Sequence, residues 1–232
     1  MIFLLAILVV AAGSALQATI GMGMALLSVP LLAWIDPALV PGPILCAVMA
    51  LSIAVAWGER GAVSHGILIV ALCGFAAGSG LGAVLLRLFA GDDLPRLFGL
   101  LILAAVALSL AGLPIRASRP ALLVGGLASG VLGTMAGVQG PPIALVLLHT
   151  PPDRLRGTLC AFFAVGAALS LATLAATGLF RLPQMELGLA LLPGVPLGFA
   201  VAPLLRRRID RRRARWAVLA ISAVSALGLL LR

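Results

Sequence analysis

Apolar runs of about 18 residues or more recur along this chain from one end to the other, each long enough as a helix to cross a hydrocarbon layer of roughly 30 Å. Hydrophobic residues make up 62% of the sequence and charged residues 10%, too little polar surface to clothe a water-soluble fold. The pattern predicts an all-α polytopic membrane protein.

Breaks at proline, glycine and charged residues divide the chain into ten apolar segments: 2–20, 24–35, 41–58, 65–88, 95–112, 120–136, 141–150, 157–179, 184–205 and 214–231. Two of them are too short to span. At 1.5 Å per residue, 24–35 reaches about 18 Å and 141–150 about 15 Å. Each follows a glycine-rich break, "TIGMGM" before the first and "AGVQGPP" before the second. They read as second arms of helical hairpins that turn back inside the membrane. Pro193, Pro196 and Pro203 are expected to kink the segment that holds them.

The five-segment order repeats. At an offset of 116, Gly21 matches Gly137, Leu31 matches Leu147 and Leu32 matches Leu148; later the register drifts, and Arg96 falls on Arg215. The period far exceeds that of solenoid repeats, so the expectation is one duplication, 1–116 and 117–232. A hairpin plus three spans makes an odd number of crossings, which places the second repeat upside down relative to the first.

All 16 basic residues are arginine, and the sequence pI is near 11.7. Read without position, that basicity suggests a nucleic-acid partner. Position argues against one: seven arginines lie between Arg206 and Arg215, in a connection between two apolar runs. Such a cluster is an orientation signal and a contact for anionic lipid headgroups. With that loop inside the cell, Arg60, Arg116, Arg119, Arg154 and Arg156 also fall inside, twelve in all, against Arg87, Arg96, Arg181 and Arg232 outside. The bias satisfies the positive-inside rule and puts both termini outside. The N-terminus lacks a positive region ahead of its apolar core and reads as a retained membrane segment.

Unpaired backbone groups are not tolerated against lipid, so interrupted helices at membrane depth must face protein or a polar cavity. A new helix should start near Met24 in the first break. In the second it should start at Pro141, where a missing N–H costs nothing. Free N–H groups at a helix start, with the positive end of the dipole, favour an anion, and inversion brings two such starts together near the midplane. Gly21, Gly23, Gly137 and Gly140 suit tight turns and close backbone approach. Gln17, Thr19, Thr134 and Gln139 are the polar side chains within a turn of the breaks.

The rest of the inventory excludes other chemistry. Every carboxylate lies at a segment end or in a loop, so no proton relay crosses the membrane. His65 and His149 sit singly at segment edges, and Cys46, Cys73 and Cys160 are scattered small core hydrophobes. A membrane hydrolase or metal enzyme needs a nucleophile with its base, or clustered ligands, at depth. The expectation is no enzyme, no cofactor and no metal, with a small anion as substrate.

With these residues in view, the chain resembles the TauE/SafE sulfite exporter family of bacterial membrane transporters. "ATIGMGMALLSVPLL" is similar to the family's N-terminal glycine-rich break, and "GVLGTMAGVQGPPIALVLL" to its counterpart in the second half. Gly137, Gly140, Pro141 and Pro142 fall where the family's Gly-x-Gly-Gly-Pro-Pro would put them, while Gln139 stands where glycine is usual. The resemblance implies a bacterial inner-membrane transporter of sulfite, thiosulfate, sulfoacetate or related anions. The expected substrate site is Thr19, Gly21, Met22, Gly23 and Met24 at the first tip, with Gly137, Val138, Gln139, Gly140 and Pro141 at the second. A drug/metabolite-type transporter with ten full spans, an anion channel and a membrane scaffold are the alternatives.

Overall fold

The computed structural model describes residues 2–21, 23–89, 94–111, 115–148, 150–208 and 210–231. Met22, His149, Asp92, Asp93 and Arg232 lie outside the described residues. The described chain is helical throughout its ordered elements: α1 (Ile2–Ile20), α2 (Met24–Ile35), α3 (Gly42–Gly58), α4 (His65–Phe89), α5 (Leu94–Ala111), α6 (Arg119–Ala136), α7 (Gly140–Val146), α8 (Pro152–Ala176), α9 (Leu182–Leu191), α10 (Gly194–Arg208) and α11 (Arg211–Leu230). Among the described residues eight segments are long and apolar enough to cross a membrane, α9 and α10 counting as one, and α2 and α7 are the two short ones. The protein is an all-α polytopic membrane protein.

Local chemistry sets most helix ends. Ser118 caps α6 by accepting from the Ala121 amide, and Pro120 follows in the first turn. Asp210 caps α11 through the Arg212 amide at 2.9 Å. The segment expected at 184–205 breaks fully at Leu192 and Pro193 instead of bending, whereas Pro203 is accommodated inside α10. α8 starts at Pro152, five residues earlier than the apolar run suggested, because prolines at 151 and 152 suit a helix start and the charged residues after them continue it. That extension carries Arg154 and Arg156 onto a helix.

Both short helices fold back along the helix before them. Ser28 Oγ donates to the Val9 carbonyl at 3.2 Å, and Ser14 Oγ to Met24 Sδ at 3.8 Å, so α2 runs antiparallel to α1. Ser129 Oγ accepts from the Ile143 amide at 3.2 Å, and Gly125 lies beside Val146, so α7 runs antiparallel to α6.

The main seams join the first half of the chain to the second. Gly74, Gly78 and Gly82 of α4 lie against the backbone of Leu123, Leu127 and Val131 on α6, where any Cβ would meet a carbonyl oxygen. Small residues let the helix backbones touch, which supplies packing where lipid removes the hydrophobic drive. α10 meets α1 in the same way, through Gly194 and Gly198 against the Ile7 and Ala11 carbonyls. In both seams residue numbers rise together, so the helices are parallel. α3 and α8 are antiparallel, with Gly42 beside Phe180 at one end and Gly157 beside Glu59 at the other. α5 and α11 are antiparallel too, with Gly99 beside Ala226 and Arg215 bonded to Ser109.

The outer faces carry exposed Leu8, Ile69, Val124, Leu197 and Val224, as a hydrocarbon solvent requires. Trp57 and Trp216 are exposed near the end of α3 and the start of α11, with the Arg60 guanidinium 5.4 Å from the Trp57 ring centre. Amphipathic rings beside arginine are typical of a membrane interface.

Candidate functional site

The two tips converge on one cavity of about 100 Å³. A water needs about 10–15 Å³ on the same measure, so a small oxyanion fits. Gly23, Ala25 and Leu26 line it from the first tip, and Val138, Gln139, Gly140 and Pro141 from the second. Gln17 of α1 also lines it, and the remaining walls are mostly aliphatic, with Phe163 from α8.

Gly21 and Gly23 take φ of 92° and 118°, and Gly137 takes 76°. A side chain in this left-handed region costs roughly 1–2 kcal/mol, so the breaks select glycine. Gly140 differs from expectation: its φ is not positive, and it is the first residue of α7, one position ahead of Pro141. Gly140 also faces space, since a Cβ there would sit 3.5 Å from the Phe163 ring.

The helix starts offer unequal numbers of donors. At α2, the Met24, Ala25 and Leu26 amides have no acceptor within the helix and no side-chain cap. At α7, Pro141 and Pro142 have no N–H and Ile143 donates to Ser129, which leaves the Gly140 amide. With only seven residues, α7 also has a small dipole.

The buried polar side chains divide in the same way. Gln17 Nε2 donates to Ser52 Oγ at 3.0 Å. Gln139, 2% exposed, donates through Nε2 to the Phe163 carbonyl at 3.1 Å, and its Oε1 has no partner among the described residues. Thr19 is turned away from the cavity, its hydroxyl donating to Ala15 at 2.6 Å and lying 3.4 Å from the Ala202 carbonyl. Thr134 joins a buried hydroxyl chain, 2.9 Å from Ser79 and 2.8 Å from Ser170, with Ser79 donating on to Thr173. Met24 and Gly137 are buried beside the cavity and do not line it. Gly21 is likewise set back, under the stem of Arg156.

Two arginines complete the neighbourhood, and hydropathy alone assigned both to the membrane surface. Arg215 lines the cavity, and its Nη2 donates to the Ser109 carbonyl at 2.6 Å. No other charged residue lines the cavity among the described residues. Arg156 Nη2 donates to the Ala18 carbonyl at 2.7 Å, and its Nε lies 3.1 Å from Glu59 Oε1. Arg156 thus closes the C-terminal end of α1, where a cation is favoured. The alignment of Arg96 with Arg215 was the one sequence signal that singled out the latter.

A family model described as sulfite exporter TauE/SafE matches residues 5–229. No curated protein and no solved structure matches the chain. The match runs through both hairpins and every long helix, and the protein belongs to the sulfite exporter TauE/SafE family.

Proposed function

We propose that this chain exports small sulfur-containing oxyanions or organosulfonates, of the sulfite, thiosulfate and sulfoacetate class, by alternating access. The observation that carries this is a single cavity lined by both hairpin tips and by one cation. Family membership supplies the sulfur-anion class; the cavity supplies a place for it.

The halves 1–116 and 117–232 act as inverted repeats, each a re-entrant hairpin plus three spans. Support comes from the seams: α3 against α8 and α5 against α11 are corresponding helices running antiparallel, and α4 on α6 has its counterpart in α10 on α1. The lengths of α2 and α7, about 18 and 10 Å, speak against ten full spans. The arginine-rich loop faces the cytoplasm and the anionic headgroups of a bacterial inner membrane, and both termini lie outside. The cavity then opens inward.

Modest affinity suits the task. A helix start contributes about 0.3–1 kcal/mol to an anion, up to about 2 when partly buried, which offsets desolvation in part and still permits release. A negative-inside potential drives each anion charge outward by about 2.3 kcal/mol per 100 mV, so export requires no coupling ion. Turnover here is transport and not catalysis.

The test is flux of labelled sulfite, thiosulfate and sulfoacetate in proteoliposomes under an imposed potential, with Gly140→Leu beside the wild type. The added side chain enters the cavity without a backbone clash. Saturable wild-type flux, lost in a variant of normal thermal stability, is expected. Normal flux in Gly140→Leu, or none for any of the three anions in the wild type, refutes the proposal.

A further inference from the structure

Arg215 is the fifth residue of α11 and stands one turn inside the arginine-rich connection. Arg213 faces Asp210 at 3.8 Å, whereas Arg215 has no carboxylate partner among the described residues. One of its amino groups is held by the Ser109 carbonyl in the last turn of α5, which fixes the guanidinium at the cavity wall. A planar cation with spare donors, anchored at the mouth of an otherwise uncharged cavity, is suited to bind an oxyanion through paired hydrogen bonds.

The antiparallel α5 and α11 place another arginine at the opposite end of the same helix pair. Arg96 aligns with Arg215 in sequence, lies in the first turn of α5, and is exposed at the opposite end of the same helix pair, where Gly99 abuts Ala226 and Leu230 in the last turns of α11. Each arginine therefore begins one helix beside the end of the other.

We infer that Arg215 and Arg96 are alternating mouth residues: Arg215 receives the anion when the cavity opens toward the arginine-rich loop, and Arg96 takes its place when the cavity opens to the other side. The inference rests on the inverted-repeat transport reading above and adds the residues that give each side its affinity. It predicts a one-sided defect for each substitution.

The experiment measures sulfite flux against concentration in right-side-out and inverted membrane vesicles for wild type, Arg215→Gln, Arg215→Lys and Arg96→Gln. Arg215→Gln should raise the half-saturating concentration about tenfold from the side of the arginine-rich loop, with the other side within about twofold, as expected for losing a charged hydrogen-bonding partner. Arg96→Gln should give the mirror image. Arg215→Lys, which keeps the charge, should lie between wild type and Arg215→Gln, and carries the test if the glutamine variant does not fold. Saturation unchanged on both sides, or shifted equally on both, overturns the inference while wild-type flux leaves the transport reading standing. A wild type without flux overturns both.

Discussion

The first tip, at Gly21 and Gly23, and the second, at Gly137, turn the chain in the same left-handed way and differ in what is packed around the turn. At the second, the chain closes itself: the Gly137 amide bonds to the Gly133 carbonyl at 2.8 Å and Val138 to Leu132 at 3.4 Å, with Ile44 and Val29 packed over the turn. At the first, the Gly21 amide likewise bonds to the Gln17 carbonyl at 2.8 Å, and a further group comes from the other half of the molecule. Arg156 reaches from α8 to the Ala18 carbonyl and is held there by Glu59. Matched glycine signals thus specify the turn and leave its surroundings free to diverge. One tip is packed into an apolar core; the other is additionally held by an arginine in a partly exposed ion pair.

The largest effect should separate the tips directly. Gly137→Ala incurs the left-handed cost of about 1–2 kcal/mol and adds a Cβ 3.0 Å from Ile44 Cγ2, where overpacking costs a further 1–3 kcal/mol or so. Gly21→Ala has the same backbone cost, but its Cβ meets the flexible stem of Arg156 at 3.2 Å. Thermal unfolding in detergent should therefore rank Gly137→Ala well below Gly21→Ala. Equal losses would mean the two environments are equivalent.

A smaller effect tests the ion pair. Arg156→Gln should destabilise by about 2 kcal/mol, since it removes a charged hydrogen bond and uncovers a helix end. Glu59→Gln should cost less, and the double variant less than the sum, because both belong to one network. Additive losses would show that Glu59 does not hold Arg156 in place. The smallest effect is expected for Thr19→Val, within about 0.5 kcal/mol and with sulfite flux unchanged, because its hydroxyl is spent on helix carbonyls. A marked loss of flux would return Thr19 to the substrate path.

Hydropathy made the helices of the first half closely legible, because each apolar run there ends where proline, glycine or charge ends it, whereas α7, α8 and the broken 184–205 segment depart from their apolar runs by several residues. Short arms after "TIGMGM" and "AGVQGPP" were also legible, since a helix too short to span must do something else. The lateral arrangement was not. Arg215 counts as a surface charge in any one-dimensional tally, and only the antiparallel contact of α11 with α5 carries it to the cavity wall. Arg156 was hidden for a related reason: the apolar run starts at 157, yet the helix starts at Pro152. Thr19 and Thr134 have the composition of ligands, but their hydroxyls were claimed by neighbours that no spacing rule reveals.

The two glycine seams have a consequence for biosynthesis. α4 meets α6 soon after both leave the ribosome, while α1 must wait for α10, almost the whole length of the chain later. Until then the face of α1 that Gly194 and Gly198 will cover has only lipid or the insertion machinery against it. α1 is therefore among the last helices to be seated, and neither half alone contains the partner that its opening helix needs. Expressed as separate pieces, 1–116 and 117–232 should accumulate only when made together.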